Sequence, residues 1–462
     1  MRFQQLRANC LVTSLLPSAL SLSIPMANKI RTVVTTDMES DDLASLVRYI
    51  LYTNDLENQG LIYTSSKFHW EGDGKNTSSC RIATLASITK VGNVDFDGEM
   101  AKDTEGSDLI KKLILDGDPR TLYLQAWGGT NTIARALKSI SDEQSSSPSW
   151  STTKSHISNK VAILASGFQD NTYAEYIAPN WPALRVEELS AAYDTWGFNC
   201  NQGQGNVRGL PDNNAYYKGA WTKANIQTGP LGSLYRPWLD GQTTFGGGDQ
   251  LDVFGDPEKA PGGWCKPLEQ YDFLSEGDNV VFNNLLTTGL QDPSDGNIGG
   301  WGGRRKQNST SPDLWVLVDK EVGTNGSEFE NWTTDRWVAA AQNDFAARMQ
   351  WTLTSEYAGA NHAPSIKIAG PQTLKARPGS TVQLSAQVGD PDGDQVSVSW
   401  WQYLEEGTYP SKIEVNSAAD NSVTVGVPAD AKSGQTTSVI AQATDDGQFP
   451  LTRYGRVFIE VL

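Results

Sequence analysis

Apolar positions between residue 30 and about residue 190 follow two alternating rhythms. Runs of strand length, rich in Val, Ile, Leu and Thr, stand at 31–36, 61–63, 121–125, 161–165 and 184–186. Between them helical spacing takes over at 43–54, about 80–90, 107–115, 131–141 and 171–178. Such alternation predicts βαβ units and hence an α/β domain, a mostly parallel open sheet with helices on both faces. From 196 to 270 both rhythms vanish, and Gly, Asn, Trp and Pro point to a long surface excursion. Helical patterns return at 280–290 and 337–354.

The texture changes at His362-Ala363-Pro364. Beyond it come short period-two segments separated by turns: SIKIAG, TVQLSAQV, VSVSWWQY, SVTVGVP, TSVIAQAT and RVFIEVL. They predict an all-β, immunoglobulin-like sandwich over 362–462, following an α/β domain over 28–361. Trp400 and Trp401 are adjacent, so a strand turns them to opposite faces and one of them belongs to the core. A flat two-Trp sugar platform is therefore not expected there, and the sandwich reads as a packed, structural unit.

A net charge of −17 argues against a basic face for nucleic acid or anionic membrane. Residues 1–27 place two Arg ahead of an apolar, small-residue stretch with a plausible cut near Met26-Ala27, which reads as a signal peptide and predicts a secreted, extracellular protein. No other segment is apolar for long enough to span a membrane. Four sequons, at Asn76, Asn308, Asn325 and Asn331, then favour a glycoprotein. Cys200 and Cys265 flank the Gly/Asn-rich excursion and are candidates for one disulfide, leaving Cys80 free. Oligomeric state is open, a homo-oligomer included.

The chemistry concentrates where the strand 31–36 empties into Asp37, with Asp41-Asp42 just ahead of a helix. Open α/β sheets bind their ligands at the carboxyl ends of strands. Three neighbouring carboxylates repel unless a proton or cation intervenes, and Ca²⁺ prefers oxygen donors. The plainer explanation, Asp41 as helix cap and Asp42 as first-turn acid, leaves Asp37 unexplained. The acidic turns at 389–394 and 445–447 suit either Ca²⁺ or ordinary turn chemistry. Glu71 to Asn76 lacks the Ser/Thr of a phosphate loop, Gly203-Gln204-Gly205 lacks the rest of a dinucleotide motif, and no G-x-S-x-G elbow occurs.

The stretch Thr35-Thr36-Asp37-Met38-Glu39-Ser40-Asp41-Asp42 resembles the nucleoside hydrolase signature D-T-D-P-G-x-D-D. LQAWGGTNTIA at 124–134 and GDNVV at 277–281 resemble two later motifs in order, and 161–176 occupies the place of a third. The whole chain is similar to secreted proteins that join such a domain to an immunoglobulin-like one and are commonly labelled cellulose-binding. The resemblance implies Ca²⁺ held by Asp37, Asp42, the Thr130 carbonyl and Asp278, with Asp37 activating a Ca²⁺-bound water. Around that site the chain itself offers Asp41, His69, Trp70, Trp127, Gln169, Asp170, Asn171, Trp301 and Arg304 as candidate sugar contacts, with Glu276 as a substitute leaving-group acid if burial raises its pKa. Each Trp is equally readable as core, and Glu276 as a structural acid. Departures are Thr35 for an acid, Met38-Glu39 for Pro-Gly, and Gly277 for the leaving-group His. The expected activity is hydrolysis of a glycosyl bond in a furanoside, oligosaccharide or plant polysaccharide fragment. Alternatives are a non-catalytic carbohydrate-binding (cellulose-binding) protein and, third, a true nucleosidase.

Overall fold

The computed structural model describes residues 29–38, 40–67, 89–189, 215–216, 219–235, 276–290, 292–323, 326–418 and 420–462. Strands β1 (Ile30–Thr36), β2 (Leu56–Tyr63), β3 (Thr89–Val91), β4 (Leu122–Ala126), β5 (Val161–Ala165), β6 (Arg185–Glu188), β7 (Arg305–Gln307) and β8 (Leu314–Leu317) form one sheet, ordered β3-β2-β1-β4-β5-β6-β8-β7. All pairings are parallel except β7 with β8. The chain adds β2 and β3 on one side of β1, then crosses to add β4 on the other. The crevice between the carboxyl ends of β1 and β4 is thus the topological switch point, the ligand position of an open α/β sheet.

Consecutive strand residues enter opposite cores, as the pleat requires. Val33, Leu122, Leu124, Val161 and Ile163 join one cluster, while Val34, Tyr123, Ala162 and Leu164 join another. Helices α2 (Glu105–Ile114), α3 (Asn131–Gln144) and α4 (Trp150–Lys160) cover the first face. Helix α1 (Ser40–Leu51) and the short helix Asn279–Asn283 cover the second, together with the helix Val338–Trp351. Both faces being covered explains why the strands read as unbroken apolar runs.

Three expectations need correction. The helical pattern at 280–290 yields only the single turn Asn279–Asn283, because Asn283 and Asn284 give way to a turn whose Gly289 needs φ +93. Residues 89 and 90, at the end of the helical pattern expected over about 80–90, belong instead to edge strand β3. Helix α4 has only Ile157 among its buried apolar residues, so it carried no readable stripe. Most of 196–270, and Cys80, Cys200 and Cys265, lie outside the described residues, as does the stretch 1–28.

Strands β9 (Lys320–Val322) and β10 (Glu328–Glu330) pair antiparallel as a separate ribbon. The tail strands are β11 (Ser365–Ile368), β12 (Thr373–Ala376), β13 (Thr381–Gly389), β14 (Ser397–Tyr403), β15 (Val415–Ser417), β16 (Ser422–Gly426), β17 (Thr436–Thr444) and β18 (Thr452–Val461). They form two four-stranded sheets, β11-β13-β16-β15 and β12-β18-β17-β14. Trp400 sits in the sandwich core, whereas Trp401 turns outward onto Trp337 of the α/β domain, ring centroids 5.8 Å apart. The two domains are pinned by buried charge. Glu321 receives Arg304 at 2.7 Å and the Tyr403 hydroxyl at 3.1 Å, and Glu406 receives Gly299 N–H at 2.7 Å and Arg456 at 2.9 Å. Tyr454 N–H donates to the Thr288 carbonyl at 2.9 Å, and the Tyr454 carbonyl lies so close to Gly289 that a Cβ would not fit.

Candidate metal centre at the strand ends

Asp37 emerges directly from β1, and the turn behind it is shaped by Thr36. The Thr36 hydroxyl donates to Asp42 Oδ1 and accepts the Met38 N–H at 3.0 Å. This turn puts Met38 at φ +60. A proline, fixed near φ −65°, cannot adopt that value, so this turn has no place for the Pro of the nucleoside hydrolase signature. Asp41 and Asp42 open α1, and Asp278 precedes the short helix Asn279–Asn283. The Asp278 N–H donates to Ser45 Oγ at 3.0 Å, which docks this segment on α1.

Asp41, Asp42 and Asp278 bring one carboxylate oxygen each to within 4.8 Å of one another. All three, and Asp37, are at most 5% exposed. Burial, then the charges of Asp41 and Asp37, push the Asp278 carboxyl well above the ordinary carboxylate range. Its Oδ2 is buried with no hydrogen-bond partner. An orphaned carboxylate oxygen among acidic neighbours, with an all-oxygen donor set, fits a hard divalent cation such as Ca²⁺. Asp41, expected to touch sugar, is here a member of the cluster.

The WGGT loop after β4 makes room for Asp37. Gly128 packs so tightly on its side chain that a Cβ would lie 2.8 Å from Cγ and 2.9 Å from Oδ1. Gly128→Ala is therefore expected to displace Asp37 and weaken Ca²⁺ binding by about 10–100-fold, the usual effect of disturbing a ligand's support. Titration calorimetry reads this directly, and an unchanged affinity would place Asp37 outside the cation's reach. Thr35, where the nucleoside hydrolase signature has an acid, turns its hydroxyl to the Gln125 carbonyl at 3.1 Å.

Several other expected site residues have different work. Trp127 is fully buried, edge-on to Tyr49 at 5.6 Å and beside Phe282 at 5.8 Å, with Nε1 donating to Gln125 Oε1 at 3.1 Å. Trp301 is 1% exposed within the same core cluster. Neither offers a free face, so neither is a stacking platform. Glu276 is fully buried in a bidentate pair with Arg48, at 2.5 and 2.6 Å, which engages both oxygens that leaving-group protonation would need. Arg304 serves the domain boundary, bonding Glu321 and the Glu405 carbonyl.

Asp170 caps α3 from outside: Oδ2 accepts the Asn131 N–H at 2.9 Å, and Oδ1 accepts Thr172 N–H, Thr172 Oγ1 and Thr130 Oγ1. The Thr130 carbonyl, an expected cation ligand, accepts the Ala134 N–H as the first acceptor of α3. Gln169 Nε2 donates to the Trp127 carbonyl at 2.6 Å, leaving its buried Oε1 without a partner, and Asn171 is exposed. His69 and Trp70 lie outside the described residues, and His156 is exposed on α4. Arg48 was the residue that sequence reading missed. Its signal was a lone cation inside the apolar stripe of α1, which demands a buried anion.

Comparisons with known proteins agree with this architecture. The family model described as "Cellulose-binding Sde182, nucleoside hydrolase-like domain" matches residues 31–84 and 80–305, and "Cellulose-binding protein Sde0182, C-terminal domain" matches 381–461. A solved nucleoside hydrolase-related hypothetical protein from Saccharophagus degradans, described as associated with carbohydrate metabolism, is 26% identical with a TM-score of 0.67. That alignment covers 94% of this chain and 100% of the other. The effector protein XOO4466 aligns over 71% of this chain and 94% of its own, at 15% identity and a TM-score of 0.35, too distant to carry an argument. No curated protein matches the chain. With its sheet, its strand-end carboxylates and well over half its length matched in order, the chain belongs to the cellulose-binding Sde182 family, through that family's nucleoside hydrolase-like domain.

Proposed function

We propose that the protein is a secreted, divalent-cation-dependent hydrolase of glycosyl bonds, acting on a furanoside or an oligosaccharide fragment of plant polysaccharide. The observation that carries the reading is the convergence of Asp41, Asp42 and Asp278 at the β1 end of the switch-point crevice, with Asp37 beside them. Asp37, Asp41, Asp42 and Asp278 would hold the cation, Ca²⁺ by its oxygen donors. When bound, such a cation orients a sugar diol and makes a water molecule easier to deprotonate. Asp37, against which Gly128 packs, would take the water's proton as general base while the water oxygen bonds the anomeric carbon and the glycosyl bond breaks; with Glu276 engaged by Arg48, the leaving oxygen would take its proton from solvent. Ser45 fixes the Asp278 backbone, and the Arg48–Glu276 pair holds the chain two residues earlier against α1. The leader-like residues 1–27 and the four sequons support secretion.

A second reading, a carbohydrate-binding protein that holds sugar without cleaving it, is favoured by one observation. Glu276, the expected proton donor to the leaving group, is engaged on both oxygens by Arg48. The family's cellulose-binding description supports a carbohydrate ligand under either reading. Incubating the Ca²⁺-loaded protein with a panel of glycosides and oligosaccharides separates them. Release of reducing sugar that stops on chelation is the expected result. Recovery of intact, bound saccharide after long incubation would overturn hydrolysis in favour of binding, and cleavage confined to inosine or uridine would make the protein a nucleosidase.

A further inference from the structure

We propose a second Ca²⁺ site, at the junction of the two domains, formed by Asp390, Asp392 and Asp394 of the β13–β14 turn together with Asp445 and the side-chain carbonyl of Asn361. The turn brings one carboxylate oxygen from each of Asp390, Asp392 and Asp394 to within 4.8 Å of one another. That separation suits oxygens sharing one Ca²⁺ at 2.3–2.6 Å. An acidic turn alone would need no ion, since Asp and Gly are ordinary turn residues. Here that explanation accounts for Asp390 Oδ1, which accepts the N–H groups of Asp392 at 2.8 Å and Asp394 at 3.1 Å. It leaves other oxygens unexplained.

Three buried acceptors at this junction have no hydrogen-bond partner: Asp390 Oδ2, Asp445 Oδ2 and Asn361 Oδ1. Asp445 is 4% exposed and Asn361 9%. Their remaining polar atoms are fixed. Asp445 Oδ1 accepts Asn361 Nδ2 at 3.1 Å, Gly447 N–H at 3.2 Å and Leu451 N–H at 2.9 Å. Asn361 Nδ2 also donates to the Gln448 carbonyl at 3.1 Å. This orientation is forced, so the orphaned oxygens are not a matter of free rotation. All of them are acceptors, and buried acceptors without donors are rare unless an ion or ordered water completes them.

The groups converge at Gly447. A Cβ there would lie 2.5 Å from the Asn361 carboxamide and closer still to Asp394 Oδ2, so only glycine lets the two approach. Asp390 is also among the charges that, after burial, push the Asp445 carboxyl upward. Asp392 faces the same connector, accepting the His362 N–H at 2.6 Å. An all-oxygen set drawn from two sandwich loops and the connector is adaptable in number and geometry, which suits Ca²⁺ better than octahedral Mg²⁺. Bound there, Ca²⁺ ties Asn361 and His362 to the end of the sandwich and fixes how the tail leaves the helix Val338–Trp351. The inference stands apart from the strand-end cluster and from any hydrolytic activity.

The test uses the full chain, stripped with chelator and titrated with Ca²⁺ alone. In an Asp42→Asn/Asp278→Asn background, which disables the strand-end cluster, one equivalent of Ca²⁺ is expected to remain at up to millimolar concentration. Adding Asp390→Asn and Asp394→Asn is expected to abolish it. Retention of that equivalent in the fourfold variant, or its absence before those two changes, would overturn the site. Should the combined variants fail to fold, hydrogen exchange on the wild-type chain decides. Amides of 390–395 and 445–448 must gain at least about tenfold protection with Ca²⁺, and no gain there overturns the site.

Discussion

Asp278→Ala is expected to abolish Ca²⁺ binding at the strand ends and to lower glycosyl hydrolysis by about a thousand-fold or more. The magnitude follows from the several kcal/mol that a correctly held cation contributes to charge stabilisation, each 1.36 kcal/mol being a factor of ten. The same substitution carries an opposite sign for the metal-free protein. Burial, Asp41 and Asp37 disfavour the ionised Asp278 carboxyl, so its removal relieves repulsion. Metal-free Asp278→Ala is therefore expected to melt above metal-free wild type at neutral pH, while Ca²⁺ raises the melting temperature of wild type far more. Parallel melting scans with chelator and with Ca²⁺ check both halves. A general folding defect would lower stability under both conditions, which separates it from loss of the cation.

Arg48→Met should destabilise the fold by about 3–5 kcal/mol, because it strands the Glu276 carboxylate in the interior. The pair is bidentate, and Arg48 also donates to Gln342 Oε1 and lies 4.0 Å over the Phe345 ring, so one substitution leaves several groups unmatched. The double variant Arg48→Met/Glu276→Leu should recover most of the loss, since apolar residues of similar volume often replace a buried ion pair without penalty. Urea midpoints for the two variants read the difference. A single variant as stable as wild type would mean that Glu276 sheds its charge without hindrance and is available to carry a proton, reviving it as the leaving-group acid.

The α/β alternation was legible because β1, β4 and β5 are buried on both faces, so Val33 and Val34 could both be apolar while serving different cores. Helix α4 was not, since its sequence is mostly Ser, Thr and Lys and its placement is decided by the chain around it. In the site, Asp37, Asp41 and Asp42 were readable as a local group. Asp278 reached the cluster only through its motif, because nothing near residue 278 signals a partner on α1. Trp127 and Trp301 misled for a physical reason. Indole serves equally as core filler and as a sugar-stacking face, and sequence does not reveal which neighbours enclose it. Arg48 stands out as a cation in the apolar stripe of α1, but Glu276 lies 228 residues away and nothing in the sequence names it as the partner.

The contact between Gly289 and Tyr454 gives the tail a mechanical meaning. The tail grips residues 288–290 through the Thr288 and Leu290 carbonyls, just beyond the helix that Asp278 begins. It acts as a splint on the one cluster carboxylate that comes from far along the chain. The sandwich then contributes stiffness to a centre it does not line, and the two domains are expected to unfold in one transition, read as a single endotherm by calorimetry.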